Sequence, residues 1–137
     1  MTILNFLKIY LVAVPIFFLI DMLWLGVVAK GIYQKYMGHL LKENTNWSVA
    51  VIFYLIFIVG IIIFAIHPAL QNNSWQTALS YGMLFGFFTY MTFDLTSLSV
   101  MKDWHWQIAI IDIFWGMILS GSVSIITYIF CKKFLNL

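Results

Sequence analysis

FTYMTFDLTSLSV, Phe88–Val100, places one carboxylate, Asp94, among rings, aliphatic side chains and hydroxyls. Outward from it the apolar character runs back to Trp75 and on to Met101. About 20 apolar residues suffice to cross the hydrocarbon core of a bilayer. Three more runs of that kind occur, at about Asn5–Ala29, Trp47–Ile66 and Trp106–Cys131. Backbone groups in lipid must be satisfied within the segment, and none of the runs shows the alternation of a barrel strand, so all four are read as helices. The expected fold is all-α: a four-transmembrane-helix bundle forming one integral membrane domain over residues 1–137.

Composition agrees. The chain has 137 residues, 64% hydrophobic and only 9% charged, whereas a soluble domain carries roughly a quarter charged residues. All seven basic residues are lysines and the net charge is +2, which gives no reason to expect a nucleic-acid partner. The single cysteine, Cys131, excludes an internal disulfide and a cysteine metal cluster, and it reads as apolar filler near a helix end. The first span carries Asp21 and lacks a small-x-small cleavage site, so it is expected to be retained. Lysines divide three against four between the two sides, the terminal amine makes the count even, and orientation is not readable.

Between spans one and two, Tyr33, Tyr36, Met37, Leu40 and Leu41 follow the spacing of an amphipathic helix, with Lys35, Lys42 and Glu43 elsewhere. A short helix lying in the membrane interface is predicted, tyrosines inward, as a lid, followed by a turn at 43–46. Pro15 predicts a kink in span one, and His67-Pro68 is expected to end span two. Asn73 or Ser74 suits the N-cap of span three. Spans three and four should form a tight antiparallel hairpin, because the link after Lys102-Asp103 is very short. Trp47, Trp75, Trp104 and Trp106 flank the spans as interfacial aromatics do.

Alternating helix direction puts Asp21, Asp94 and Asp112 at one level, ~9–12 Å below the surface that carries the first loop. Their carboxyl carbons are expected within ~10–12 Å of each other around one cavity. Gly82, Gly86, Tyr90 and Asp94 share a helix face with Ser97, and Asp112, Gly116, Ser120, Ser124 and Tyr128 share another. The small residues on these stripes, Gly82, Gly86, Gly116 and Ser120, predict close helix packing. Two words echo each other: Ile20–Trp24, IDMLW, and Ile111–Trp115, IDIFW, each with a tryptophan three residues after the aspartate. They imply two similar half-sites on helices of opposite direction.

An intramembrane carboxylate costs ~2.5–3.5 kcal/mol near a helix centre, and such residues mark function by default. Three together repel, so one is expected to hold a proton or a cation, Asp94 above all. The alternative is structural: hydrogen bonds to Tyr90, Thr92, Thr96, Ser97 or tryptophan N–H groups that only fix packing. The absence of lysine and arginine from the spans at that level favours function. The candidate ligand- or proton-binding residues are therefore Asp21, Asp94, Asp112, Trp24, Trp115, Tyr90, Thr96 and Ser97. His39 and His105 lie on the same side but lack ligand spacing, and no metal site is assigned; His67 is opposite.

DMLWLG in span one, FDLTSL in span three and IDIFWG in span four, with the proline-ended second span, resemble the small bacterial predicted-membrane-protein family designated domain of unknown function 2177. The resemblance covers most of the chain, on Asp21, Trp24, Asp94, Thr96, Asp112, Trp115 and Gly116 in particular. It implies a bacterial four-span protein, in the inner membrane, and of itself no activity or cofactor. The expected function is binding or transport of a small cationic or proton-coupled ligand. The alternatives are a membrane enzyme acting on a lipid or isoprenoid-like substrate and a ligand sensor or assembly factor. The bilayer is the expected surrounding, a small ligand or lipid the expected partner, and so small a bundle leaves room for a homodimer.

Overall fold

The computed structural model describes residues 1–41 and 46–137. The predicted turn after Leu41, with Lys42 and Glu43, lies outside the described residues apart from Asn46. Four helices are long and apolar enough to cross a membrane: Ile3–Val28, Trp47–Asn72, Trp75–Val100 and Trp106–Phe134. Their outward faces are apolar, with Leu11, Leu19, Ile56, Phe88 and Phe114 all exposed, as lipid contact requires. The protein is an all-α integral membrane protein.

The first span is helix α1 (Ile3–Leu23) closed by a π-helical turn, Trp24–Val28. Helix α2 (Lys30–Met37) follows and tightens into a 3₁₀ turn, Gly38–Leu40. The interfacial helix is thus shorter than its apolar pattern suggests. Leu40 and Leu41 fall beyond the α-helix and are exposed.

The second span is α3 (Trp47–Ile61), a π-helical turn (Ile62–Ile66) and α4 (His67–Asn72). Here the expectation that Pro68 ends the helix fails. Proline lacks an N–H and crowds the carbonyl four residues back. The π turn just before it has already reset the hydrogen-bond ladder, with His67 N–H donating to Ile62 O, so Pro68 enters α4 in its first turn, where no donor is needed. The chain leaves α4 only at Asn73, which adopts a left-handed conformation, φ 49°. Ser74 then caps α5 (Trp75–Val100), accepting from Thr77 N–H at 3.2 Å. After a short link, α6 (Trp106–Phe134) returns antiparallel.

Helix α6 is the central post. It packs against α1, α5, α2 and the Ile62–Ile66 turn, and Leu119, Val123 and Cys131 are fully buried along it. The core joins them to Ile9, Ala13 and Phe17 of α1 and to Ile58, Ile61 and Ile66 of the second span. The tightest seam is α5 on α6. A Cβ on Gly82 would meet Ser124 Oγ at 2.5 Å, and one on Gly86 would land on the Gly116 carbonyl. One on Gly116 would strike the Tyr90 side chain. The small-residue stripes therefore do set the approach, in antiparallel register: Gly82 by Ser124, Gly86 by Ser120 and Gly116, Tyr90 by Gly116. One turn further along the same register, Asp94 comes beside Asp112.

Candidate functional site

At that point the bundle opens into a cavity of about 700 Å³. Asp21 from α1, Asp94 from α5 and Asp112 from α6 all line it. Asp21 and Asp94 are only 2% and 1% exposed, and Asp112 is half-buried. Tyr33, Gln34 and Met37 of α2 also line it, together with the exposed Lys30. The walls are aromatic: Phe53, Tyr54 and Phe57 of α3, Tyr90 and Phe93 of α5, Trp104 in the link and Trp115 of α6.

The two IDxxW words meet here. Trp24 and Trp115 stack with ring centroids 4.4 Å apart and planes 6° from parallel. Each indole N–H serves the other word's aspartate. Trp115 Nε1 donates to Asp21 Oδ1 at 3.3 Å. Trp24 Nε1 donates to the Tyr33 hydroxyl at 3.4 Å, and that hydroxyl donates to Asp112 Oδ1 at 2.8 Å. A pair of antiparallel helices bearing the same word produces this crossed arrangement, and the second crossing needs a relay because Tyr33 stands between. Burial, and then the charge of Asp112, push the Tyr33 hydroxyl above its usual titration range, so it remains a donor.

Not every candidate faces the cavity. Trp115 lines it and Trp24 stands behind Trp115. Thr96 is exposed and outside the lining, which corrects its place among the site residues. At about 100° per residue, a position two beyond Asp94 points to the far side of the helix. Ser97 shares the Asp94 face and is buried, but it does not line the cavity. Tyr33 turns inward, whereas Tyr36 turns to His105, ring centroids 5.7 Å apart, against the expectation that both point in.

The flanking hydroxyls do not satisfy Asp94. Thr89 donates to Phe85 O at 2.7 Å and Thr92 to Phe88 O at 2.6 Å, each back to its own helix. Among the described residues, Asp94 Oδ2 and Asp21 Oδ2 are buried with no hydrogen-bond partner, and so is the Trp104 indole nitrogen. Lys30 joins the lining from just beyond span one, so the lack of cations within the spans does not extend to the cavity. The close ion pair among the described residues is elsewhere: exposed His39 and Asp103, 4.0 Å apart. No group of three His, Cys, Asp or Glu side chains among the described residues is placed to hold a metal ion.

Sequence reasoning missed Tyr54, Phe57, Lys30 and Trp104 as lining residues. A signal existed for Tyr54: between Val49 and Ile66 it is the one side chain with a polar atom. Nothing in the local pattern marks Phe57 among so many rings.

A fluoride-specific ion channel FluC of Saccharophagus degradans is 28% identical over 78 residues, covering 56% of this chain and 59% of that protein. The chain therefore spans about three-fifths of the length of that curated relative. No solved structure matches. The model of one family, described as predicted membrane protein (DUF2177), matches residues 6–129. With its four spans and with the aspartate-bearing words inside the matched stretch, the chain belongs to that family.

Proposed function

We propose that this protein binds a small cationic solute in the carboxylate cavity and carries it across the membrane in exchange for protons. The observation that carries the reading is the convergence of Asp21, Asp94 and Asp112, from three helices, on one cavity. Among the described residues its lining holds a single cation, the exposed Lys30. Two carboxyls side by side in a low-dielectric layer cannot both stay ionised without a counter-charge, so a proton and a cation compete for the Asp94–Asp112 pair. Asp21 is held by Trp115, and the Trp115 face not covered by Trp24 offers cation–π contact. Tyr90 supplies a second ring, and Trp24 acts by positioning Trp115.

The stretch shared with a fluoride-specific channel supports ion movement as the class of activity. The cavity lining argues against a halide as cargo, because three carboxylates repel an anion. The same reading puts the protein in a bacterial inner membrane, and crosslinking in vesicles would reveal a homodimer.

Proteoliposomes loaded with a pH-sensitive dye test it. Sodium, potassium, ammonium and alkyltrimethylammonium salts are added outside in turn. At least one should drive proton movement that Asp94→Asn and Asp112→Asn abolish. A panel that moves no protons, or movement that both variants retain, rejects the reading.

A further inference from the structure

A second property of the cavity concerns what kind of cation it takes and from where. Its volume of about 700 Å³ lies in the range of sites that bury organic molecules and far exceeds the needs of a bare inorganic ion. Asp94, 1% exposed, lines it beside the Asp112 carboxyl, and its Oδ2 receives no hydrogen bond from an N–H or hydroxyl donor among the described residues. Around that atom the walls are rings, among them Tyr54, Phe57, Tyr90 and Trp115.

The wall between the second span and α5 changes with depth. Lower in the bundle the seam between the second span and α5 is shut: Gly60 lies against the Phe85 ring, and Phe57 meets Phe85 and Tyr90 with ring centroids 5.2 and 6.0 Å apart. Helix α5 has its close backbone packing with α6 and with the Ile62–Ile66 turn rather than with α3. Above Phe57 the two helices present Phe53 and Phe93, which line the cavity and yet are 55% and 58% exposed on the apolar outer surface. Two rings therefore belong both to the cavity wall and to the outer surface, on the helices that bear and face Asp94.

We propose that the cargo is an amphiphilic monocation, an ammonium head on an apolar tail, and that it enters laterally from the bilayer between Phe53 and Phe93. The head reaches Asp94 and Asp112, and the tail trails along the ring-lined route. This rests on the cation-carrier reading above and specifies its substrate. Both a free alkylammonium and a lipid with an ammonium headgroup have that chemistry.

Binding is measured on the full chain in phosphatidylcholine nanodiscs, by tryptophan fluorescence corrected against empty discs. The probes are octyltrimethylammonium, tetramethylammonium, octanol and octyl sulfate. Octyltrimethylammonium should bind at least about 30-fold more tightly than tetramethylammonium, with octanol and octyl sulfate weak, and Asp94→Asn should cost at least about tenfold. Equal affinity for the two ammonium ions, both lost in Asp94→Asn, overturns the amphiphile and leaves the cation carrier standing. Octanol binding as tightly as octyltrimethylammonium, indifferent to Asp94→Asn, overturns both, and so does no binding at all. Repeating the titration in phosphatidylcholine discs that also hold a dialkyl trimethylammonium lipid, balanced in charge by phosphatidylglycerol, separates the sources: weaker binding there identifies the cationic lipid as competitor and cargo, and unchanged binding identifies a free amphiphile. Phe53→Trp with Phe93→Trp should slow association several-fold. An unaltered association rate overturns lateral entry.

Discussion

The two halves of the α5–α6 hairpin are made by one register and behave oppositely. From Gly82 to Gly86 the seam is closed, with no room for a Cβ against Ser124, Ser120 or Gly116. From Tyr90 to Asp94 it widens into a cavity, because a large ring and then a carboxylate replace glycine on the α5 face. The closed half draws its stability from contact. Among the described residues the open half leaves a carboxylate oxygen, Asp94 Oδ2, without a partner, whereas the unpartnered atom of the closed half is the neutral Ser120 hydroxyl. A structure maintains unsatisfied polar atoms in a membrane at a cost, and a ligand that satisfies them offsets it.

The closed half should break most readily. Gly86→Val puts two methyls where one Cβ already collides with the Gly116 carbonyl. It should destabilise the bundle by about 3 kcal/mol or prevent its recovery, read as thermal unfolding in detergent. The same-sized insult at Thr89, which lines the cavity, should do far less, and equal losses at the two positions would erase the distinction between the halves.

In the open half the largest effect should fall on function. Asp94→Asn keeps the shape and should change stability by less than about 1 kcal/mol. Cation binding should weaken by about 2 kcal/mol, close to 30-fold, in the same preparation. A variant that loses stability and keeps binding would make Asp94 a packing residue.

Smaller effects sharpen the crossed tryptophan arrangement. Trp115→Phe retains a ring beside Trp24 but removes the indole donor to Asp21 Oδ1. About 1 kcal/mol should be lost by thermal unfolding, and Trp24→Phe should cost less, since its N–H reaches Asp112 only through Tyr33. Tyr33→Phe should cost about 0.5 kcal/mol and speed amide exchange in Lys30–Met37 more than in the spans. Because burial raises the Tyr33 titration above that of an unfolded tyrosine, its contribution should be complete below about pH 10 and decline as pH rises further. Exchange of α2 amides that accelerates instead on acidification would point away from Tyr33 as the latch.

Much of this arrangement is legible in the order of the residues. Asp21, Asp94 and Asp112 share one level because helix rise is constant and the spans alternate, so counting residues from each helix end suffices. The small stripes of α5 and α6 are visible for the same reason, as every fourth residue returns to one face. Thr96 escapes by a rule equally simple, since a residue two away from a carboxylate is a sequence neighbour and a spatial opposite. Pro68 escapes because the π turn that accommodates it has no pattern of its own in a run rich in isoleucine.

By itself, then, the sequence determined that the chain has four helices able to span a membrane and that three carboxylates fall at matching positions along them. Those are properties of single helices in a solvent that cannot hydrogen-bond to their backbones. Which side chains face each other across the helices was decided only by tertiary packing. The exchange of partners between the two IDxxW words, the return of Tyr33 from α2 to Asp112, the arrival of Tyr54 and Phe57 at the wall and the exposure of Phe53 and Phe93 at its edge depend on rotation and tilt. Those are set by where a glycine lets two backbones touch and where a ring holds them apart.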